Sequence, residues 1–215
     1  MDHVLSGVAK FRREVYPQKA ESFRELADGQ QPEVLFITCA DSRIDPSLIT
    51  QTEPGELFIC RNAGNVVPPH SNDTGGMTAS IEYAVAVLGV SHIVVCGHTD
   101  CGAMKGALNP ESVASLPHVR EWLGHCRAAV EVVREQKGEV CAEHLDCVTS
   151  ENVALQLQHL RTHPAVAAKL ATGKVQLHGW VYNIGTGEVL SYDESSRSMQ
   201  PLLDGELAAL GAAEA

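Results

Sequence analysis

Two short segments carry the side chains best suited to chemistry, Cys39-x-Asp41-x-Arg43 and His98-x-x-Cys101. Two thiolates and one neutral imidazole make a zinc donor set that leaves room for a fourth ligand. The two thiolate charges formally neutralise Zn²⁺, and zinc lowers the pKa of a bound water toward neutrality. A hydroxide held there would attack an electrophile. Asp41 and Arg43 add a carboxylate and a guanidinium at alternate positions. If paired, Arg43 holds Asp41 off the metal, so that Asp41 accepts the hydroxide's hydrogen bond and aims its lone pair. If the pair breaks, Asp41 can close the site as a fourth ligand. Each residue also has a plainer reading, with Cys39 as a small core residue, His98 as a loop histidine and Asp41–Arg43 as a strand-end ion pair. His-x-x-Cys pairs occur by chance. The weight comes from the coincidence of the two clusters.

The elements that must position them can be read around them. Each cluster ends an apolar run, Leu35–Cys39 and Ile93–Cys96, of the kind that forms a buried strand of a parallel sheet. Parallel strands would deliver both clusters to one sheet edge, where open α/β sheets place their sites. Helical spacing covers Asp2–Ala27, with Pro17 separating two helices. Strands are expected near Val34–Cys39, Glu56–Cys60, Ser91–Cys96, Lys174–Asn183 and Glu188–Tyr192, the last pair as an edge hairpin. Asp45-Pro46 starts a helix. Met77–Leu88 reads as a crossover helix, and Val119–Glu135 and Glu143–Arg161 as long helices. The fold class is α/β, a mostly parallel four-stranded sheet with an added edge strand, flanked by helices.

The net charge of −11 argues against a nucleic-acid backbone binder. No segment approaches the roughly 18 apolar residues of a membrane span, and the N-terminus lacks a secretory apolar core. A cytoplasmic protein is expected. The seven cysteines, odd in number, suit a reducing compartment better than a disulfide framework. Cys60, Cys96, Cys126, Cys141 and Cys147 read as structural.

The combined pattern resembles the β-class carbonic anhydrases, zinc enzymes that interconvert CO₂ and bicarbonate. The likeness extends through Glu53–Phe58, Arg61-Asn-Ala-Gly-Asn65, Ser80–Ala84, Gly97–Gly102, Glu151-Asn-Val153 and His178–Tyr182. It is most similar to the bacterial branch associated with cyanase. The resemblance implies one Zn²⁺ per chain on Cys39, His98 and Cys101, with Asp41 and Arg43 as the catalytic pair. It implies a substrate pocket with Gln30, Phe58, Tyr83 and the backbone of Gly102. It further implies a homodimer or tetramer with interface sites, residues 1–30 as an N-terminal helical arm packing on the partner, and residues 31–192 as the catalytic core. The tail, 193–215, has no evident role. Phe36 stands where some members place a tryptophan that, with the equivalents of Arg61 and Tyr182, binds a regulatory bicarbonate, so gating by bicarbonate is not expected. The expected reaction is reversible CO₂ hydration by zinc-bound hydroxide. Hydrolysis of carbon disulfide or a related heterocumulene, or a non-catalytic structural-zinc or anion-sensing module, are the alternatives.

Overall fold

The computed structural model describes residues 1–72 and 74–202. A mixed sheet of six strands forms its centre, in the order β2-β1-β3-β4-β5-β6. Strands β1 (Val34–Cys39), β2 (Leu57–Asn62), β3 (His92–His98) and β4 (Gln176–Tyr182) run parallel. Leu35, Phe36 and Ile37 are fully buried, as are Ile93, Val95 and Cys96. Helices cover both faces, which is why these strands read as unbroken apolar runs rather than alternating ones.

Strand β5 (Val189–Asp193) returns antiparallel on β4, and β6 (Ser198–Pro201) pairs antiparallel with β5. The sixth strand departs from the expected single edge strand. Its sequence, Ser-Met-Gln-Pro, is half exposed and carries little strand signal. What forms it is the preceding turn. The Asp193 carboxylate accepts hydrogen bonds from the Ser195 amide at 2.8 Å, the Ser195 hydroxyl at 2.7 Å and the Ser196 hydroxyl at 2.8 Å. That Asx-type turn reverses the chain. The rest of the C-terminal tail, 203–215, lies outside the described residues.

The N-terminal arm is helical throughout, in α1 (Asp2–Lys10) and α2 (Ala20–Ala27), joined by a π turn and a 3₁₀ turn. Pro17 sits within the 3₁₀ turn, where a missing N–H is tolerated, so it separates the two α-helices as expected while the chain between them stays helically wound. No residue of α1 or α2 is buried, and Val4, Leu5, Val8, Phe11 and Tyr16 face out. Asp45 caps the short α3 (Pro46–Thr50) by accepting from the Leu48 amide at 3.3 Å. After β2 come α4 (Gly76–Glu82), which runs on as a π turn to Leu88, and then, beyond β3, α5 (Gly102–Leu108). The expected helix Val119–Glu135 is interrupted. It splits into α6 (Pro117–Trp122), a 3₁₀ turn through Gly124, and α7 (Arg127–Lys137), a rotation that buries Leu123 and Cys126 together. Helices α8 (Leu145–Thr162) and α9 (Pro164–Ala171) follow. No helix among the described residues is long and apolar enough to cross a membrane.

Helix α8 lies unusually close to the sheet because two glycines make room for it. A Cβ on Gly97 of β3 would stand 3.0 Å from Val153 Cγ2 and 3.3 Å from Thr149 Cγ2. One on Gly179 of β4 would stand 2.8 Å from Val153 Cγ1 and 3.0 Å from Leu157 Cδ1. Val153 is β-branched and fully buried, so it cannot swing aside. Gly179→Ala is therefore expected to destabilise the fold by about 1–3 kcal/mol through overpacking, read from urea denaturation. An unchanged midpoint would mean that α8 can retreat from the sheet.

Candidate metal centre

The register of β1 on β3, with Thr38 opposite Cys96, brings Cys39 and His98 out at the same carboxyl edge. The Thr38 hydroxyl locks this register by donating to the Cys96 carbonyl at 2.8 Å. Beyond His98 the chain turns through Asp100, which adopts a left-handed φ of 58°, a conformation that aspartate tolerates better than most residues. The turn carries Cys101 back to the first cluster, with its Sγ 4.0 Å from Cys39 Sγ. The ligand atoms of Cys39, His98 and Cys101 all lie within 4.8 Å of one another, and all three residues are buried.

The His98 imidazole has one occupied nitrogen and one open one. Nδ1–H donates to the Thr99 carbonyl at 2.9 Å, which leaves the lone pair on Nε2. That buried Nε2 has no hydrogen-bond partner. A buried polar atom left without a partner is costly, and a metal is the partner that a lone pair beside two sulfurs accepts. The set fits Zn²⁺ in ligand type and number.

The two sulfurs share one charge, which Cys39 takes, while the adjacent Cys39 sulfur and then burial push Cys101 up. Cys39 is held well below an ordinary thiol, first by the hydrogen bond from Cys101, with further help from His98 and from the Gly64 amide that points at its sulfur at 3.4 Å. Burial of His98 works to lower its pKa, but the adjacent Cys39 sulfur and the Thr99 carbonyl outweigh it and leave the imidazole raised, so an ion at Nε2 would compete there with a proton. In contrast, burial pushes Cys96 and Cys126 up to about 12 and raises Cys60. These three are inert thiols of the core.

Arg43 grips Asp41 with a two-point fork, Nε on Oδ1 at 2.9 Å and Nη2 on Oδ2 at 2.8 Å, while its own amide adds a third bond to Oδ1 at 2.9 Å. The Arg43 side-chain hydrogen bonds, then its amide, hold the Asp41 carboxyl well below the usual carboxylate range. Asp41 Oδ2 stands 3.8 Å from His98 Nε2, so the paired carboxylate faces the cluster without joining its three donors. Asp100 secures the far side of Arg43, accepting from Nη1 at 2.9 Å on its carboxylate and from Nη2 at 3.2 Å on its carbonyl, and it is itself ion-paired with Lys105. The sequence signal for this role was present, an acidic residue inside the His98–Cys101 loop, but its partner is 57 residues away. Arg61 clamps the Cys39–Ile44 loop from β2, donating to the carbonyls of Cys39 at 3.0 Å, Asp41 at 2.7 Å and Ile44 at 2.9 Å.

The structure thus gathers Cys39, Asp41, Arg43, His98 and Cys101, with Gly102 opening α5 directly after Cys101. It does not bring Gln30, Phe58 or Tyr83 to them within the chain. Phe58 stands opposite Leu35, four residues and therefore about 13 Å along the strand from Cys39. The Phe58 and Tyr83 rings lie 6.1 Å apart, with Tyr83 exposed. Gln30 is exposed in the loop before β1, at the opposite end of that strand from Cys39.

Comparison with known proteins agrees with this arrangement. Residues 34–189 match the family model described as carbonic anhydrase. A carbonic anhydrase of Pseudomonas aeruginosa is 47% identical over 95% of this chain and 93% of its own length. Carbonic anhydrase 1 of Escherichia coli O157:H7 is 43% identical over 94% of this chain and 92% of its own. Among solved structures, the β-carbonic anhydrase CcaA superposes with a TM-score of 0.90 at 41% identity, covering 94% of this chain and 98% of that one. A structure from a study of two tetrameric β-carbonic anhydrases of Sordaria macrospora gives 0.77 at 31% identity, covering 88% and 95%.

The Asp41–Arg43 pair makes a prediction about acid. Because the folded pKa of Asp41 lies below its unfolded value, the pair adds stability that is complete well above about pH 4 and is lost as pH falls toward the depressed folded value. Arg43→Gln should therefore lower the urea midpoint near neutrality and do so progressively less below about pH 4. An effect that grows on acidification would contradict this sign.

Proposed function

The chain belongs to the β-carbonic anhydrases, and from that premise we propose the part that each residue of the cluster takes in its reaction. The reaction is the reversible hydration of CO₂ to bicarbonate and a proton, and the cofactor is zinc. The observation that carries the assignment of ligands is the buried, partnerless Nε2 of His98 facing two sulfurs. Cys39, His98 and Cys101 hold the ion, which supplies a Lewis acid that brings the pKa of water down toward neutrality.

The remaining chemistry belongs to the protein. Asp41 Oδ2 faces the cluster as an ionised carboxylate, so it accepts a proton-bearing neighbour as a hydrogen-bond donor and orients it. Arg43 holds that carboxylate in place, and release of the Asp41–Arg43 fork would free it to turn toward the three donors and close the site. CO₂ has almost nothing to hydrogen-bond, so selectivity rests on the size of an apolar pocket and on the aim that Asp41 provides. Gln30, Phe58 and Tyr83 line this pocket from a second copy of the chain, with the Gly102 backbone on the near side. Their distance from Cys39 within one chain supports that placement. The exposed apolar face of residues 2–27 supports the arm as the element that embraces the second copy. The unit is a dimer or a pair of dimers. The three backbone carbonyls that occupy Arg61 support its reading as a loop clamp rather than an effector ligand, and Phe36, packed edge-on against Trp180 at 5.9 Å, offers no N–H. We assign the chain to the cyanase-associated branch and to the cytoplasm on the likeness of its motifs and its reduced cysteines.

Stopped-flow CO₂ hydration across pH, run beside metal analysis, tests the roles. Asp41→Asn should retain about one zinc per chain and lose about 10–100-fold in turnover. Full activity in that variant would remove Asp41 from its orienting role. Cys39→Ala should lose zinc on dialysis against a chelator, and unchanged retention would strike Cys39 from the ligand set. Turnover of carbon disulfide in preference to CO₂ would redirect the substrate assignment without disturbing the metal one.

A further inference from the structure

The buried stripe of α8 is not the purely apolar one that Val148, Val153, Leu157 and Leu160 suggest. Thr149, Asn152 and Gln156 are buried in the same stripe. Asn152 and Gln156 are aimed at the loop after β2, and that loop carries Gly64, whose amide points at the Cys39 sulfur.

The bonds form a directed chain. The Val67 amide can only donate and the Gly64 carbonyl can only accept, so both side-chain amides between them have a single orientation. Gln156 Oε1 accepts from Val67 N at 2.8 Å, Gln156 Nε2 donates to Asn152 Oδ1 at 2.8 Å, and Asn152 Nδ2 donates to the Gly64 carbonyl at 3.1 Å. Further side chains hold the same loop. Trp122 Nε1 donates to the Ala63 carbonyl at 2.8 Å, and Asn62 bonds both the amide of Val66 at 2.7 Å and its carbonyl at 2.8 Å. Gly64 itself has a φ of 85°, and a Cβ there would stand 2.9 Å from Ala103 Cβ. The loop has one arrangement, and that arrangement aims one N–H at one sulfur.

We infer that Asn152 and Gln156 are positioning residues for the metal centre, holding the Gly64 N–H on the Cys39 sulfur from the far side of the loop. An N–H on a thiolate draws charge from the sulfur and fixes which lone pair is left for the ion, the outer-shell control that tunes metal sites. The glycines at positions 97 and 179 belong to the same device, because they let α8 approach closely enough for Asn152 to reach the loop. This inference rests on the reading of Cys39 as a ligand.

The test uses the full-length chain loaded with zinc, or with cobalt as a spectroscopic substitute. Gln156→Met keeps the side-chain volume and removes the relay, and Trp122→Phe keeps an aromatic ring near the surface and removes one loop bond, so that it folds even where Gln156→Met does not. Val166→Ala, in the core beneath α9 and taking no part in the hydrogen bonds that hold the loop, serves as a variant destabilised for unrelated reasons. Chelator competition should show zinc held about 10–100-fold less tightly in Gln156→Met and less tightly, by a smaller factor, in Trp122→Phe. The sulfur-to-cobalt charge-transfer band should move to lower energy in both, as the sulfur becomes richer in electrons, and Val166→Ala should change neither reading. Unaltered affinity and band position in Gln156→Met and Trp122→Phe, or equal changes in Val166→Ala, would overturn the inference. A parent chain that holds no zinc would instead overturn the ligand assignment beneath it.

Discussion

A single nitrogen sets the terms for the rest of this structure. His98 Nε2 is buried with its lone pair free, because Nδ1 is committed to the Thr99 carbonyl. In water that lone pair would be satisfied at no cost. Inside the fold it requires a partner, and the two nearby sulfurs define what kind. The sheet edge, the left-handed turn at Asp100 and the loops from β1 and β2 all serve to bring acceptors of the same sort into one place. Burial makes each of them unfavourable alone and favourable together around a cation.

The second constraint is charge on the rim. Asp41 is near enough to the cluster to join it, and what restrains it is Arg43, gripped in turn by Asp100. Arg43 is partly exposed, so the restraint operates where solvent and pH can act on it. Arg61 removes the remaining freedom by tying the backbone of the same loop to β2. An exposed ion pair and a half-buried backbone clamp therefore divide the work, one holding the side chain and the other the chain that bears it.

The strands and their end-of-strand chemistry were legible because parallel buried strands leave a plain trace, unbroken Val, Ile and Leu runs ending in polar residues. Cys39, Asp41, Arg43, His98 and Cys101 could be picked out on that trace, and the resemblance to a zinc family weighted them. The helix Val119–Glu135 was less legible. Its apolar spacing survives through Gly124, while burial of Leu123 and Cys126 needs a change of phase that periodicity does not record. The strand Ser198–Pro201 was missed because a polar turn, rather than its own side chains, creates it. Gln30, Phe58 and Tyr83 followed from resemblance alone, and one chain does not gather them.

What the sequence determined by itself was the kind of chemistry and the elements bearing it, because residue type and period are local properties. What only the tertiary structure decided was orientation. No spacing shows which nitrogen of His98 is free, that Asp100 rather than a solvent ion completes the coordination of Arg43 by hydrogen bonds, or that Asn152 and Gln156 turn inward to a loop 88 and 89 residues away. Those facts depend on hydrogen bonds between segments distant in sequence, and such bonds exist only once the sheet has fixed its register and the glycines have let α8 settle onto it.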